Sequence, residues 1–313
     1  MSKKNFRDKL RKVKQFKIDK NNDIDDIIHS LENTGFNAKR LAKGCEIYAQ
    51  MIADTKCTKF FGLAGAMVPV GMQGLIYQFI EEGFLDILVT TGANLTHDIA
   101  ETLGYHHLQG EMDLNQVDDV ELHENEMNRI YDVFLPNNVY EGIEDFISEL
   151  EIPDYNMPVS SFLKYLGKQL PQDSQSILKI AAEKNVPIFC PAFTDSGLAL
   201  QLGFHFQKLN LNHFKDMLRM VDLAWDSKNA GVCIVGGGVP KNFIFQSLQF
   251  CPTSAKYAIQ ITMDRPEPGG LSGATLSEAM SWGKVNKDAK HSMIISDATI
   301  ALPIILWYLK TRV

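Results

Sequence analysis

A single doubly wound α/β domain with a mostly parallel sheet is the fold this sequence predicts, and two observations carry it. Short apolar, β-branched runs alternate with amphipathic stretches along most of the chain, the pattern of strands covered on both faces by helices. Nearly every run then ends in Gly, Thr, Ser or Asp, as strands do when they feed tight turns at the carboxyl edge of an open sheet. The 313 residues, 45% hydrophobic and 22% charged, suffice for one large core and exclude a disordered or fibrous chain.

Taken in order, residues 1–22 read as a basic, partly helical arm. Positions 1–20 hold nine Lys or Arg against Asp8 and Asp19, a net +7, which leaves 22 bases and 36 acids, or −14, on the remainder. Residues 23–313 read as the one folded α/β domain. Between Asp23 and about Ala53, Ile27, Ile28, Leu31, Leu41, Ile47 and Met51 recur at helical spacing, and Gly35 divides two helices. The predicted strands follow as KFFGLAG (59–65), DILVTTG (86–92), VPIFCPAF (186–193), AGVCIVGGG (230–238), AKYAIQIT (255–262) and SMIISDAT (292–299). The acidic, Pro-containing region 104–170 reads as an insertion or helical layer rather than a second domain.

Composition excludes several function classes. A formal charge of −7 argues against a general nucleic-acid binder. The head has no apolar run of the kind a secretory signal needs, and the longest apolar run, 300–309, is about half a bilayer span. Cys45, Cys57, Cys190, Cys233 and Cys251 are odd in number and widely spaced, which suits reduced thiols in a cytoplasmic protein. The histidines show no metal-ligand spacing, so no metal site is expected.

Two stretches could carry chemistry. CIVGGGVPKNF (233–243) runs a strand into three glycines and a helix, a turn that lets backbone approach a pyrophosphate, and Asp264 ends the next strand where a ribose-binding acid can sit. A plain strand-to-helix turn explains the same glycines. PGGLSGATLSEAMSWGK (268–284) sets Glu278, Trp282 and Lys284 close together. A lysine desolvated against an indole can act as an imine-forming nucleophile, and a carboxylate beside an aromatic ring suits an organic ammonium ion. A surface lysine beside a core tryptophan is the plainer reading. His97 and Asp98, after the TTGAN turn, are the remaining candidates, with a purely structural histidine as the alternative.

SEAMSWGKV (277–285) closely resembles the active-site segment of deoxyhypusine synthases. The resemblance extends in family order through TGFNAKRLAKGCEIYAQMI (34–52), VTTGANLTHDI (89–99), MNRIYDVFLP (127–136), PAFTDSGL (191–198), VGGGVPKN (235–242), GGLSGAT (269–275) and SDATIALP (296–303). It implies a Rossmann-like NAD-binding domain that moves the aminobutyl group of spermidine to a lysine of the translation factor 5A precursor. Lys284 is the implied nucleophile, forming a covalent imine, with Glu278, Trp282 and Asn242 around the polyamine. The implied cofactor contacts are Thr90, Thr91, Gly92, Asp195, Gly236, Gly237, Gly238, Thr262, Ser272, Asp297 and Ala298; Asp264 is not among them. The family also implies a homotetramer.

The sequence departs from the eukaryotic pattern. Thr96 and His97 stand for two glutamates, Leu200 and Leu271 for acids, and Asn242 for a histidine that is an acid/base candidate. An amide does not titrate, so His97 beside Asp98 is the expected replacement. Fewer carboxylates also leave open a homospermidine synthase-like transfer to putrescine, and, from another class, a non-catalytic nucleotide-binding protein. The arm reads either as a solvated extension or as a cover for an acidic site mouth.

Overall fold

The computed structural model describes residues 10–110 and 117–312. Residues 10–20 form no helix and are exposed, held near the body by the Lys14 N–H donating to the Asn33 carbonyl at 3.0 Å. This corrects the helical expectation for that part of the arm. Its lysines repel one another, and Leu10, Val13 and Ile18 find nothing to pack against, so no tertiary contact supports a short helix. Residues 1–9 of the arm lie outside the described residues.

The two expected N-terminal helices are α1 (Ile24–Glu32) and α2 (Phe36–Ala53). Asp23 caps the first by accepting from the Asp26 N–H, and Gly35 is the N-cap of the second. Next come β1 (Cys57–Leu63), α3 (Gln73–Glu81), β2 (Ile87–Thr90) and α4 (Gly92–Thr102). Region 104–170 departs from a plain helical layer. It holds β3 (Leu108–Gln109), α5 (Asp119–Glu124), β4 (Met127–Ile130), β5 (Val133–Pro136), α6 (Asn138–Ser148), β6 (Asn156–Met157) and α7 (Val159–Gln169). The strands β3, β5 and β4 pair antiparallel in that order. Such short, half-exposed strands leave little periodicity to read.

The chain continues through α8 (Ile177–Glu183), β7 (Ile188–Phe189), α9 (Gly197–His205), β8 (Asn210–Leu211, paired with β6) and α10 (His213–Trp225). It ends with β9 (Asn229–Val235), α11 (Gly238–Gln249), β10 (Ala255–Thr262), α12 (Leu276–Ser281), β11 (Val285–Ile295) and α13 (Ala298–Lys310). All six predicted strands are present and form one sheet in the order β11-β10-β9-β1-β2-β7, with every pairing parallel. Growth of the sheet reverses between β1 and β9, and a crevice opens there above the carboxyl ends.

Two apolar layers cover the sheet, which accounts for its unbroken hydrophobic strands. Met51, Leu63, Ile259, Ile294, Leu302 and Ile305 belong to the layer under α2 and α13. Phe60, Val232, Ile244, Leu248, Leu276 and Ala279 belong to the layer under α11 and α12. Among the described residues no helix is long and apolar enough to cross a membrane. The five cysteines are unpaired, and four of them are buried.

Candidate active site

The carboxyl edge of the sheet is built by hydroxyls and glycines that tie neighbouring strand ends together. Thr90 Oγ1 donates to the Leu63 carbonyl at 3.1 Å, closing the end of β2 onto β1. Asn94, buried, donates to Thr90 Oγ1 and the Gly65 carbonyl and accepts from the Val68 N–H. That burial and bonding closes the Asn94-Leu-Thr96 sequon to glycosylation. Thr91 caps α4 by accepting from the Asn94 N–H, and Ser196 caps α9 by accepting from the Ala199 N–H. A Cβ on Gly92 would lie 2.5 Å from that of Ser196, so only glycine lets these two turns meet. Asp195 stands exposed beside this contact.

The second half of the edge centres on Gly236, Gly237 and Gly238. Gly236 and Gly238 take φ of 72° and 57°, the left-handed region that glycine enters without strain. A Cβ on Gly237 would overlap the Ser272 backbone. Thr262 accepts from the Asp264 N–H at 3.1 Å, while Asp264 itself is exposed and accepts from the Arg265 N–H. Asp297 precedes Ala298 and caps α13, accepting from the Thr299 N–H and hydroxyl at 2.8 Å each. This edge therefore presents glycine turns and helix N-termini at the switch point, a donor set that suits the phosphates of a dinucleotide.

Lys284 is positioned from a different end. Thr275 caps α12 by accepting from the Glu278 N–H at 3.1 Å. Gly283, at φ 71°, then ends the helix in the left-handed conformation and turns the chain into β11. The Lys284 carbonyl accepts from the Ala255 N–H at 3.1 Å, so its backbone lies at the amino end of β10. The strand ends, by contrast, lie at the carboxyl edge, about 20 Å away at 3.3 Å per residue. The Lys284 ammonium sits 5.2 Å from the centre of the Trp282 ring, within cation–π range. Trp282 and Glu278 are exposed and Lys284 is half-buried. Lys284 and Trp282 thus come together, and the plainer reading of Trp282 as a core residue does not hold, since it is 59% exposed. Asn242 is half-buried at the fifth position of α11, just past its first turn.

Sequence reading missed Lys241 and Gln260. Lys241 is 3% exposed and its ammonium donates to Gln260 Oε1, the Leu271 carbonyl and the Ala274 carbonyl. Burial, partly offset by Glu278 and reinforced by Lys284, lowers its pKa to about 8. A lysine in the first helical turn looks like any surface lysine in the sequence, so nothing there signals its burial.

His97 is half-buried on α4, but Asp98 is not its partner. Successive helical residues point about 100° apart, and Asp98 faces the core, where it accepts from Ser176 Oγ, the Ile177 and Leu178 N–H groups and Gln73 Nε2. This corrects the His97–Asp98 pairing. His97 Nδ1 instead shares a 2.9 Å hydrogen bond with His107 Nε2, and His107 Nδ1 meets Glu101 Oε1 at 2.5 Å. His106 Nδ1 holds the other oxygen of Glu101 at 2.8 Å. Burial and the neighbouring His107 lower His97 to about 4. Burial pushes Glu101 up, but hydrogen bonds from His107 and His106 win and hold it at about 2. Glu101 and His107 line a cleft of about 770 Å³ together with Asp297 and Thr299.

Both depressed values work in one direction. Their contributions to stability are complete above the unfolded values and are lost as pH falls, from 6.5 to about 4 for His97 and from 4.5 to about 2 for Glu101. His97→Gln is expected to flatten the upper part of this acid loss. Urea midpoints measured between pH 7 and pH 4 check it; an unchanged slope in the variant would mean His97 is not held neutral by the fold.

The family model for deoxyhypusine synthase matches residues 26–309. A probable deoxyhypusine synthase 1 of Methanosarcina acetivorans is 46% identical over 98% of this chain and 96% of its own length. Its counterpart from Archaeoglobus fulgidus is 41% identical over 92% and 94%. Among solved structures, a putative deoxyhypusine synthase from Entamoeba histolytica has the same fold, with a TM-score of 0.60 at 18% identity over 95% of this chain and 96% of that one. A match running from α1 to α13, with relatives this similar along nearly the whole length, makes this chain a member of the deoxyhypusine synthase family.

Proposed function

We propose that the protein is an NAD-dependent aminobutyl transferase that moves the butylamine unit of spermidine to a lysine of the translation factor 5A precursor. The observation that carries this reading is the Glu278–Trp282–Lys284 cluster, set at the end of α12 in a chain of this family. Trp282 offers a π face and Glu278 a carboxylate to a polyamine's ammonium groups, and Lys284 beside them supplies a primary amine.

The glycine turn at the switch point supports NAD as cofactor and a Rossmann-like mode of binding. Gly236, Gly237, Gly238 and Ser272 would approach its phosphates, with Thr90, Thr91, Gly92, Asp195, Thr262, Asp297 and Ala298 completing the contacts. When bound, NAD supplies a hydride acceptor at the start of the cycle and a hydride donor at its end. Lys284 adds its amine to the oxidised carbon of spermidine, 1,3-diaminopropane leaves, and the butyl unit stays on Lys284 as an imine. The acceptor amine then displaces Lys284, which is freed for another turn.

Acid/base work falls on His97, with His107 and Glu101 behind it, since Asn242 cannot titrate. Held at about 4, His97 is neutral at pH 7 and is a weaker base than a free imidazole, so any proton it takes is quickly passed on. His97→Gln is expected to lower turnover by about 10²-fold or more; full turnover with an unchanged pH profile would remove His97 from the mechanism.

Several large apolar residues are exposed on the single chain, among them Phe204, Phe214, Leu218 and Trp282. They support the homotetramer expected of the family, since apolar faces of this kind suit burial between subunits. The reading places the protein in the cytoplasm. Incubation with NAD and labelled spermidine, followed by borohydride reduction, tests the first half-reaction. Label on Lys284 supports the reading, and its absence rejects both enzymatic versions. The missing carboxylates at Leu200 and Leu271 favour a second version, transfer to putrescine. Adding the factor 5A precursor or putrescine to the labelled enzyme tells the two apart.

A further inference from the structure

The loop between β10 and α12 carries the segment that ends in Lys284, yet it has few ties to the sheet. Its backbone hydrogen bonds at Gly269, Gly273 and Ala274 all run to carbonyls within the loop itself. Residues 263–271 are exposed. What joins it to the body is a buried polar pair. The Lys241 ammonium has three protons and three acceptors, at 3.0 Å on Gln260 Oε1, 2.9 Å on the Leu271 carbonyl and 2.6 Å on the Ala274 carbonyl. Gln260, fully buried on β10, turns its amide to the Gly236 carbonyl at 2.9 Å and the Ser272 carbonyl at 2.8 Å. Five hydrogen bonds therefore connect the glycine turn after β9, the strand β10, the helix α11 and the loop.

We propose that Lys241 and Gln260 act as one positioning unit, a strap that holds the 269–275 loop, and with it Glu278, Trp282 and Lys284, in fixed register with the Gly236–Gly238 turn. The catalytic meaning of the strap rests on the function proposed above; its mechanical meaning does not. A buried ammonium bound to neutral acceptors is costly to place, and a methionine of similar length would fill the space without that cost. What the ammonium adds is direction: its donors fix two loop carbonyls at defined points, and Gln260 fixes a third from the sheet side. The close seat of Ser272 over Gly237 is consistent with a loop held down at this place. The charge has a further consequence, since Glu278 and Lys284 both lie near enough to act on Lys241 electrostatically. Lys241 and Gln260 are buried and their donors are all used inside the fold, so the unit acts by positioning and not as a catalytic group.

The test uses Lys241→Met, Gln260→Leu and the double variant in the full-length protein. Hydrogen exchange over 266–281 is expected to accelerate at least tenfold in each single variant, with the strands β1 and β9 unchanged. Trapping of labelled spermidine on Lys284 is expected to slow at least tenfold in kcat with KM for spermidine altered less than threefold. In the double variant both effects are expected to match those of one single variant, because either change already breaks the unit. Wild-type exchange rates over 266–281 in Lys241→Met overturn the strap, as do additive effects in the double variant. Should Lys241→Met fail to fold, Lys241→Gln, which keeps a donor, and Gln260→Leu carry the same comparison. Absence of trapped label in the wild type defeats the proposed function alone, because the exchange measurement still decides the strap.

Discussion

Lys284→Arg is expected to abolish covalent capture of the butyl unit and to reduce turnover by about 10⁴-fold, which corresponds to ~5.5 kcal/mol of barrier. Arginine keeps the positive charge and the contact with Trp282, so it keeps what the cation–π pair does for structure. It loses what the proposed reaction needs. A guanidinium does not deprotonate in proteins, and only a free amine pair can attack the oxidised carbon. Because Lys284 is half-buried at a helix end and makes no ion pair among the described residues, the melting temperature is expected to stay within a few degrees of wild type. Borohydride trapping with labelled spermidine, read beside a melting curve, separates the two effects. Label retained by a folded Lys284→Arg enzyme would place the nucleophile elsewhere.

The location of Lys284 also explains why much of this site can be read from the sequence while its geometry cannot. The six strands are legible because each is a continuous apolar run buried on both faces, and β10 matches its predicted span of 255–262. Residue types at strand ends point to a polar rim at the carboxyl edge, and Thr90, Gly92, Gly236 and Asp297 are all found there. Lys284 breaks that rule. It precedes β11, so its backbone starts from the opposite edge and the site spreads down the face covered by α11 and α12. Nothing in a local pattern encodes such a placement, which arises because the loop and α12 run back along the sheet before β11 begins. His97 illustrates a second limit. Adjacency in sequence suggests Asp98 as its partner, but a helix turns neighbouring side chains apart, and the real partner comes from His107, ten residues on. Lys241 illustrates a third, since the burial of a lysine depends on whether acceptors from distant elements converge on it.

Asp98→Ala is expected to destabilise the protein by roughly 3–5 kcal/mol, the range for breaking a buried, fully bonded charge. The carboxylate is completely buried and each of its oxygens is used. Oδ1 accepts from Gln73 Nε2 at 2.7 Å and the Ile177 N–H at 2.8 Å; Oδ2 accepts from Ser176 Oγ at 2.8 Å and the Leu178 N–H at 2.9 Å. It thus satisfies two orphan donors at the start of α8 and ties that helix to α3 and α4. Burial raises the pKa of this carboxyl against the pull of those four bonds. Alanine would leave Ser176 Oγ and the Ile177 and Leu178 N–H groups without a partner and a cavity beside them, while Gln73 Nε2 keeps its 3.2 Å bond to the backbone carbonyl of residue 98; each stranded donor costs about 1–3 kcal/mol before the structure relaxes. Asp98→Asn separates charge from shape. Its side chain fits, but one oxygen becomes an NH₂ that must face an N–H donor, so a loss of about 2 kcal/mol is expected. Urea unfolding of the three proteins at pH 7 gives the comparison. The order wild type, Asn, Ala in midpoint is the expected result, and an alanine variant as stable as wild type would show that water replaces the carboxylate at the head of α8. Because α4 also carries His97, the asparagine variant is further expected to disturb the His97–His107 hydrogen bond less than the alanine variant, which histidine ring resonances in each protein would report.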